Sequence, residues 1–182
     1  VSFTCSSFLD NKGTLAEGTQ QRTLSIVRTS PTTGYYVDIF RSKSSVANQF
    51  HDYIYHNIGT TLTLESNAAT LPLTSAPTRF QTDIGDANEQ PGWRYFTNTM
   101  VSSATANAVR GRFTGTPTSN PTLHMDLHIP GAAGREYSTV SAPAIVDAPS
   151  PFYSQLSKAL VVRQPGEAWD RPFAVVFAPH TG

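Results

Sequence analysis

Ten consecutive residues, FHDYIYHNIG at positions 50–59, contain two histidines, one aspartate and two tyrosines. Successive side chains of a β-strand face opposite ways, so His51, Tyr53 and Tyr55 share one face of such a strand. Rings of this kind stack on the apolar face of a sugar, while their polar tips bond to its hydroxyl groups. We therefore predict that His51, Tyr53 and Tyr55 form a carbohydrate-binding wall.

The same ten residues also fit a plain strand without a binding role. In that interpretation the strand is half buried through Phe50 and Ile54, and His51 and Tyr53 simply face water. His51 and His56 fall on opposite faces of the strand, which disfavours their acting as one acid–base pair.

A second cluster of polar side chains lies in LHMDLHI at 123–129, where apolar and polar residues alternate cleanly. His124 and Asp126 stand about 7 Å apart along one strand face, a spacing that one metal ion can bridge. A divalent metal such as zinc or calcium is thus a candidate cofactor. Zinc usually takes three or four protein ligands, so the others would come from a neighbouring strand. The alternative is a solvated strand face that holds no cofactor.

Both tryptophans follow a Pro-Gly pair in turn-rich sequence. Trp93 stands at the start of a predicted strand, and Trp169 lies in the connection PGEAWDRP with charged residues on both sides. Exposed tryptophans suit carbohydrate recognition, because the indole ring stacks on sugars. They suit equally the closing of one end of a β-sandwich. We include Trp93 and Trp169 among the carbohydrate-binding candidates.

The composition favours an all-β protein. Charged residues make up 14% of the 182 residues and hydrophobic residues 38%, while 13 prolines and 12 glycines supply turns. The 13 basic and 13 acidic residues balance and are scattered singly, which argues against nucleic acid as a partner. No apolar run approaches the ~20 residues of a membrane helix. The single Cys5 excludes an internal disulfide.

Short alternating segments bounded by turn formers predict an antiparallel β-sandwich of about nine or ten strands. Residues 67–84 carry little pattern and are expected to form a long loop, and residues 149–157 are expected to hold one helical turn. We expect one domain over residues 1–182. Phosphate loops, Gly-x-Ser-x-Gly elbows and His-Glu-x-x-His motifs are absent from the sequence.

Two segments resemble a known family. Residues 35–59 (YYVDIFRSKSSVANQFHDYIYHNIG) and 160–182 (LVVRQPGEAWDRPFAVVFAPHTG) are similar to the β-domain of heparinase II/III-like polysaccharide lyases. The resemblance implies a supersandwich-like C-terminal domain that follows an α/α-toroid in the complete enzyme. Such enzymes cleave uronic-acid polysaccharides by β-elimination, with a tyrosine or histidine as acid or base.

The family's catalytic residues have no matching positions in this sequence. The helical domain is absent, and residues 1–28 contain no histidine and so lack the family's His-x-His-x-Asp motif. The chain lacks an initial Met and a recognisable signal peptide, so we expect it to be a piece of a longer chain. The resemblance implies a bacterial protein that is secreted or periplasmic.

Three functional hypotheses remain at this point. The first is a β-sandwich that supports or binds an acidic polysaccharide together with a missing helical domain, without being catalytic alone. The second is a free-standing carbohydrate-binding module. The third is a small complete polysaccharide lyase that uses a tyrosine and histidine pair drawn from His51, Tyr53 and His56.

Overall fold

The computed structural model describes residues 2–10, 18–81, 92–118 and 120–181. They form an antiparallel β-sandwich, which confirms the predicted fold class. The strands are β1 (Ser2–Asp10), β2 (Gly18–Arg28), β3 (Gly34–Ser44), β4 (Phe50–Asn57), β5 (Thr61–Ser66), β6 (Ala69–Thr70), β7 (Thr74–Ser75), β8 (Thr97–Val101), β9 (Val109–Gly115), β10 (Leu123–Ile129), β11 (Glu136–Ala142), β12 (Ser157–Pro165) and β13 (Phe173–Thr181). Within the described ranges, two short 3₁₀ helices, Gly92–Tyr95 and Phe152–Ser154, lie between the strands. In the described part of the chain, no helix is long and apolar enough to cross a membrane.

The thirteen described strands exceed the nine or ten that were predicted. The difference comes from β1, whose side chains show no apolar alternation, and from β6 and β7, which have two residues each. Strands β6 and β7 lie within the segment expected to be a loop, although its last residues fall outside the described ranges. The expected helical turn is the 3₁₀ helix Phe152–Ser154.

The strands form two sheets of unequal width. The wide sheet has the order β1-β2-β3-β13-β10-β9-β5-β6, and the narrow sheet has the order β4-β12-β11-β8-β7. Between them lies the main core, to which residues of β3, β4, β5 and β9 to β13 contribute. In β10, for example, Leu127 and Ile129 face this core, and each such burial contributes about 2 kcal/mol.

A second hydrophobic cluster covers the outer face of the narrow sheet. Val140, Ala142, Ala159 and Val161 point away from the main core and pack under Phe80, Phe96 and the partly buried Trp93. The segment between β7 and β8 therefore forms a third layer over the narrow sheet, where a simple sandwich would leave the face to solvent.

The wide sheet extends past the edge of the narrow one. Strand β4 ends the narrow sheet and contacts β3 of the wide sheet, while β1 and β2 continue beyond it. As a result Leu24 and Ile26 of β2 and Tyr36 of β3 remain 43%, 46% and 44% exposed, although they share the face that forms the core further along the sheet.

Candidate functional site

Strand β4 has the predicted alternation but the opposite orientation. His51, Tyr53 and Tyr55 share one face, which is turned inward toward the wide sheet. Phe50 and Ile54 are instead 45% and 38% exposed, so the interpretation of a strand buried through them is also wrong. The physical reason is that β4 is an edge strand laid over β3, so tertiary packing decides which face is covered.

Tyr53 does not lie on a sugar-facing wall. It is 2% exposed, and its hydroxyl donates a hydrogen bond of 2.7 Å to Asp38 Oδ2. Burial, followed by the negative charge of Asp38, raises the pKa of Tyr53 far above its ordinary value. The prediction of a sugar-contacting Tyr53 is therefore wrong. For the same reason Tyr53 cannot serve as the tyrosine of an acid–base pair drawn from His51, Tyr53 and His56.

Tyr55 occupies a different environment, at the border of a groove beside β4. Its ring packs against Phe177 with ring centroids 4.7 Å apart and against Phe113 at 5.5 Å. Burial raises the pKa of Tyr55 to about 12. Tyr55 is thus the member of the predicted wall that borders open space in this part of the molecule.

His51 lies near the connection between β12 and β13, residues 166–172, which we name the Trp169 loop. Ser42 of β3 bonds to this loop by two backbone hydrogen bonds with Ala168, of 2.8 and 3.3 Å. The hydroxyl of the same Ser42 lies 2.7 Å from His51 Nδ1. Ser42 therefore links both segments, its backbone to the loop and its hydroxyl to His51, whereas the neighbouring Arg41 and Lys43 alternate onto the other face of β3.

Two cations of β3 contact Trp169 directly. Lys43 Nζ lies 4.5 Å from the centre of the indole ring, a cation–π contact. Arg41 Nη1 donates to the backbone oxygen of Trp169. The partly exposed Arg41 and exposed Lys43, with Arg171 on the loop, form no ion pair within 4.0 Å to any described residue. Sequence reasoning missed Arg41 and Lys43, since only the fold brings them beside the loop.

The surroundings of Trp169 carry charges of both signs, Arg41, Lys43 and Arg171 against Glu167 and Asp170. One carboxylate oxygen of Glu167 accepts hydrogen bonds from the backbone N–H groups of Trp169 and Asp170. Burial lowers the pKa of His51, and the nearby Glu167 offsets part of that effect. The lowered pKa favours the neutral imidazole of His51.

A buried arginine holds the two ends of the Trp169 loop together. Arg135 is 2% exposed and donates to Gln164 Oε1 at 3.0 Å, to Pro130 O at 3.0 Å and to Pro172 O at 2.8 Å. Gln164 in turn donates to the backbone oxygens of Glu167 and Arg171. The loop that carries Trp169 is thus a fixed platform.

Trp93 belongs to the outer cluster over the narrow sheet. Its ring stacks on Phe80 with centroids 5.1 Å apart and meets Phe96 edge-on at 5.5 Å. Most of its contacts are therefore structural, and it does not join the Trp169 loop.

His124 and Asp126 lie on the outer face of the wide sheet, as the alternation predicted. Asp126 accepts two hydrogen bonds of 2.7 Å from Arg112, and His124 Nδ1 lies 2.9 Å from Thr114 Oγ1. His180 stacks on His124 at 4.9 Å between ring centroids. Among the described residues no three or more His, Cys, Asp or Glu side chains are placed to hold a metal ion. The described residues thus provide no third ligand for the suggested zinc or calcium site, and the Asp126 carboxylate binds Arg112 instead.

The chain shares most of its length with one known enzyme. No family model matches it. Over 168 residues the chain is 41% identical to an endo-acting ulvan lyase from Formosa agariphila, a match that covers 92% of this chain. The chain is therefore related to part of a polysaccharide lyase. It spans about a fifth of that relative's length, since the match covers 20% of it, and the similarity does not single out the heparinase II/III-like C-terminal domain.

Proposed function

We propose that this chain is the β-sandwich part of a polysaccharide lyase-like protein and binds an acidic polysaccharide without cleaving it alone. The observation that carries the proposal is the Trp169 loop, which presents an indole ring beside Lys43, Arg41 and Arg171. The ring offers an apolar surface for a sugar, and the cations attract its carboxylate or sulfate groups.

The similarity to an endo-acting ulvan lyase supports a polysaccharide as the partner and a longer parent protein. The finer assignment, a C-terminal sandwich that completes a cleft with an α/α-toroid as in heparinase II/III-like enzymes, is part of this proposal. So is a bacterial, secreted or periplasmic location. Trp169 of the loop and His51 of β4 remain carbohydrate-binding candidates.

The surroundings of the candidate acid–base groups argue against cleavage by this chain alone. Tyr53 is sealed from solvent and bonded to Asp38, and His51 pairs with Ser42. A general acid or base must reach the proton that it transfers. Neither group is placed at an open cleft where a polysaccharide could meet both.

Two assays on the intact chain test the proposal. We expect no rise in the absorbance of unsaturated uronate when the chain is mixed with ulvan, alginate or heparin. In affinity electrophoresis against the same polymers we expect retardation of the band, whereas a purely structural domain runs unretarded. A growing absorbance would favour the small complete lyase.

A further inference from the structure

The overhanging part of the wide sheet forms one side of a groove of about 740 Å³, and the edge of the narrow sheet forms the other. Leu24, Ile26 and Tyr36 form the floor, and Tyr55 and Phe177 border the side toward the narrow sheet. Ligand sites in proteins have this size and this mixture of aliphatic and aromatic lining with a few polar groups. The Trp169 loop contributes no residue to it.

One ion pair supplies the groove's polar end. Arg22 donates from Nε to both oxygens of Asp38, at 3.0 and 3.1 Å, and from Nη2 to Oδ2 at 2.5 Å. Asp38 is 1% exposed and also accepts the Tyr53 hydroxyl, whereas the Arg22 side chain is 44% exposed. The carboxylate thus lies beneath the surface and the guanidinium above it, so a ligand in the groove meets the positive partner.

The pairing also fixes the guanidinium in place. Nη1 of Arg22 makes no hydrogen bond to a described residue, while Nε and Nη2 are held by Asp38. An arginine that is already oriented loses little side-chain freedom when it binds an anion, which favours affinity. The half-buried hydroxyl of Tyr55 stands across the groove, and no described residue contributes a hydrogen bond to its phenol.

We infer that this groove binds one anionic sugar unit, with its carboxylate or sulfate on Arg22 Nη1 and its ring on Leu24, Ile26 and Tyr36. This inference rests on the proposed function and adds a second contact site for the same class of ligand. A sugar fits the lining because its C–H faces need apolar contact while its charged group needs Arg22. A wholly apolar partner would bury the free donor of Arg22 without an acceptor, which is costly.

An NMR titration of the isotope-labelled chain with oligosaccharides reports binding at the groove and at the loop separately. Alginate tetramers offer carboxylates alone, and heparin tetramers add sulfates. We expect both to shift the methyl signals of Ile26, and the more effective probe identifies the preferred anion. The indole N–H signal of Trp169 reports the loop, while the buried Ile129, which is 2% exposed, and Trp93 serve as internal references.

The outcomes distinguish this inference from the proposed function. Shifts at Ile26 without shifts at Trp169 support the groove and refute the loop site, and the reverse pattern overturns the groove. Signals that stay unchanged at both positions, up to millimolar oligosaccharide, contradict both proposals.

Variants give an independent test with a matched control. Arg22→Lys keeps a cation on Asp38 but removes the planar guanidinium that holds Nη1 toward the groove, so we expect about tenfold weaker binding at Ile26. Tyr36→Ala removes floor area, and about fivefold weaker binding is expected. Tyr35→Ala alters the neighbouring tyrosine on the opposite sheet face and should leave the affinity unchanged. Equal affinities for all three variants and the parent overturn the inference.

Discussion

Replacing Arg135 by Met tests the claim that a buried cation holds the Trp169 loop in place. The substitution preserves a long apolar stem over Phe173, whose ring centroid lies 4.9 Å from the guanidinium carbon. It removes three hydrogen bonds from a charged donor, to Gln164, Pro130 and Pro172. No acidic group is among these acceptors, and burial lowers the pKa of Arg135.

The expected loss of stability follows from two opposing effects. Three such hydrogen bonds contribute about 6 kcal/mol together, at about 2 kcal/mol each. Removing a buried cation that lacks a carboxylate partner also relieves its desolvation cost, which offsets about half of this loss. We therefore expect the free energy of unfolding to fall by about 3 kcal/mol, and Tm by about 10 °C for a domain of this size.

Urea unfolding followed by circular dichroism measures the free energy, and amide exchange at Ala168 reports the loop itself. The Ala168 amide bonds to Ser42 O at 2.8 Å, so we expect it to exchange faster in the Arg135→Met variant. Arg171→Met is the control, since Arg171 is exposed and makes one long bond of 3.5 Å to Pro165 O. A change below about 1 kcal/mol with unchanged exchange at Ala168 would refute the role of Arg135.

Three further predictions concern individual side chains. Because burial lowers the pKa of His51 below its ordinary 6.5, we expect retention on acidic polysaccharide to strengthen as the pH falls below 6.5 and His51 gains a proton. His51→Gln should flatten this dependence in affinity electrophoresis. Tyr53→Phe leaves the buried Asp38 with one donor fewer, so the free energy of unfolding measured in urea should fall by about 1.5 kcal/mol. Tyr55→Phe should lower it by less than about 0.5 kcal/mol. Equal losses for the two variants would contradict the structural role assigned to the Tyr53 hydroxyl. Zinc, calcium and EDTA should each leave Tm unchanged, since Arg112 binds both oxygens of the Asp126 carboxylate. A rise in Tm of several degrees with either metal would support a metal site at His124 and Asp126.

Local pattern predicted the strands well because alternation depends on neighbours in sequence. In β10 the split between His124 and Leu127 is as expected, since both faces of that strand have one clear polarity. In β4 the alternation of two faces was also predicted correctly, but the prediction of which face is buried was wrong. Phe50 is exposed because β4 is an edge strand, and Arg163 of β12 covers its ring at 3.5 Å. No property of β4 alone contains that information.

The candidate site was only half predictable for a related reason. His51 and Trp169 were identified from residue type, but the link of Ser42 to both His51 and Ala168 of the loop depends on long-range pairing between β3 and the loop. Lys43 and Arg41 were missed, since a scattered cation is indistinguishable from ordinary surface charge until the fold places it beside an indole ring. Strand β1 was missed because polar strands at a sheet edge carry no alternation signal.

The dissociation constant for an acidic oligosaccharide, compared between the parent chain and Trp169→Ala, tests the central claim most directly. Loss of one stacking ring should weaken binding about tenfold in calorimetric titration. Tyr153→Ala is the control, because Tyr153 is an exposed aromatic residue, 53% accessible, outside the loop. The account predicts weaker binding for Trp169→Ala alone. Equal affinities for all three chains, or no binding by the parent chain, would contradict it.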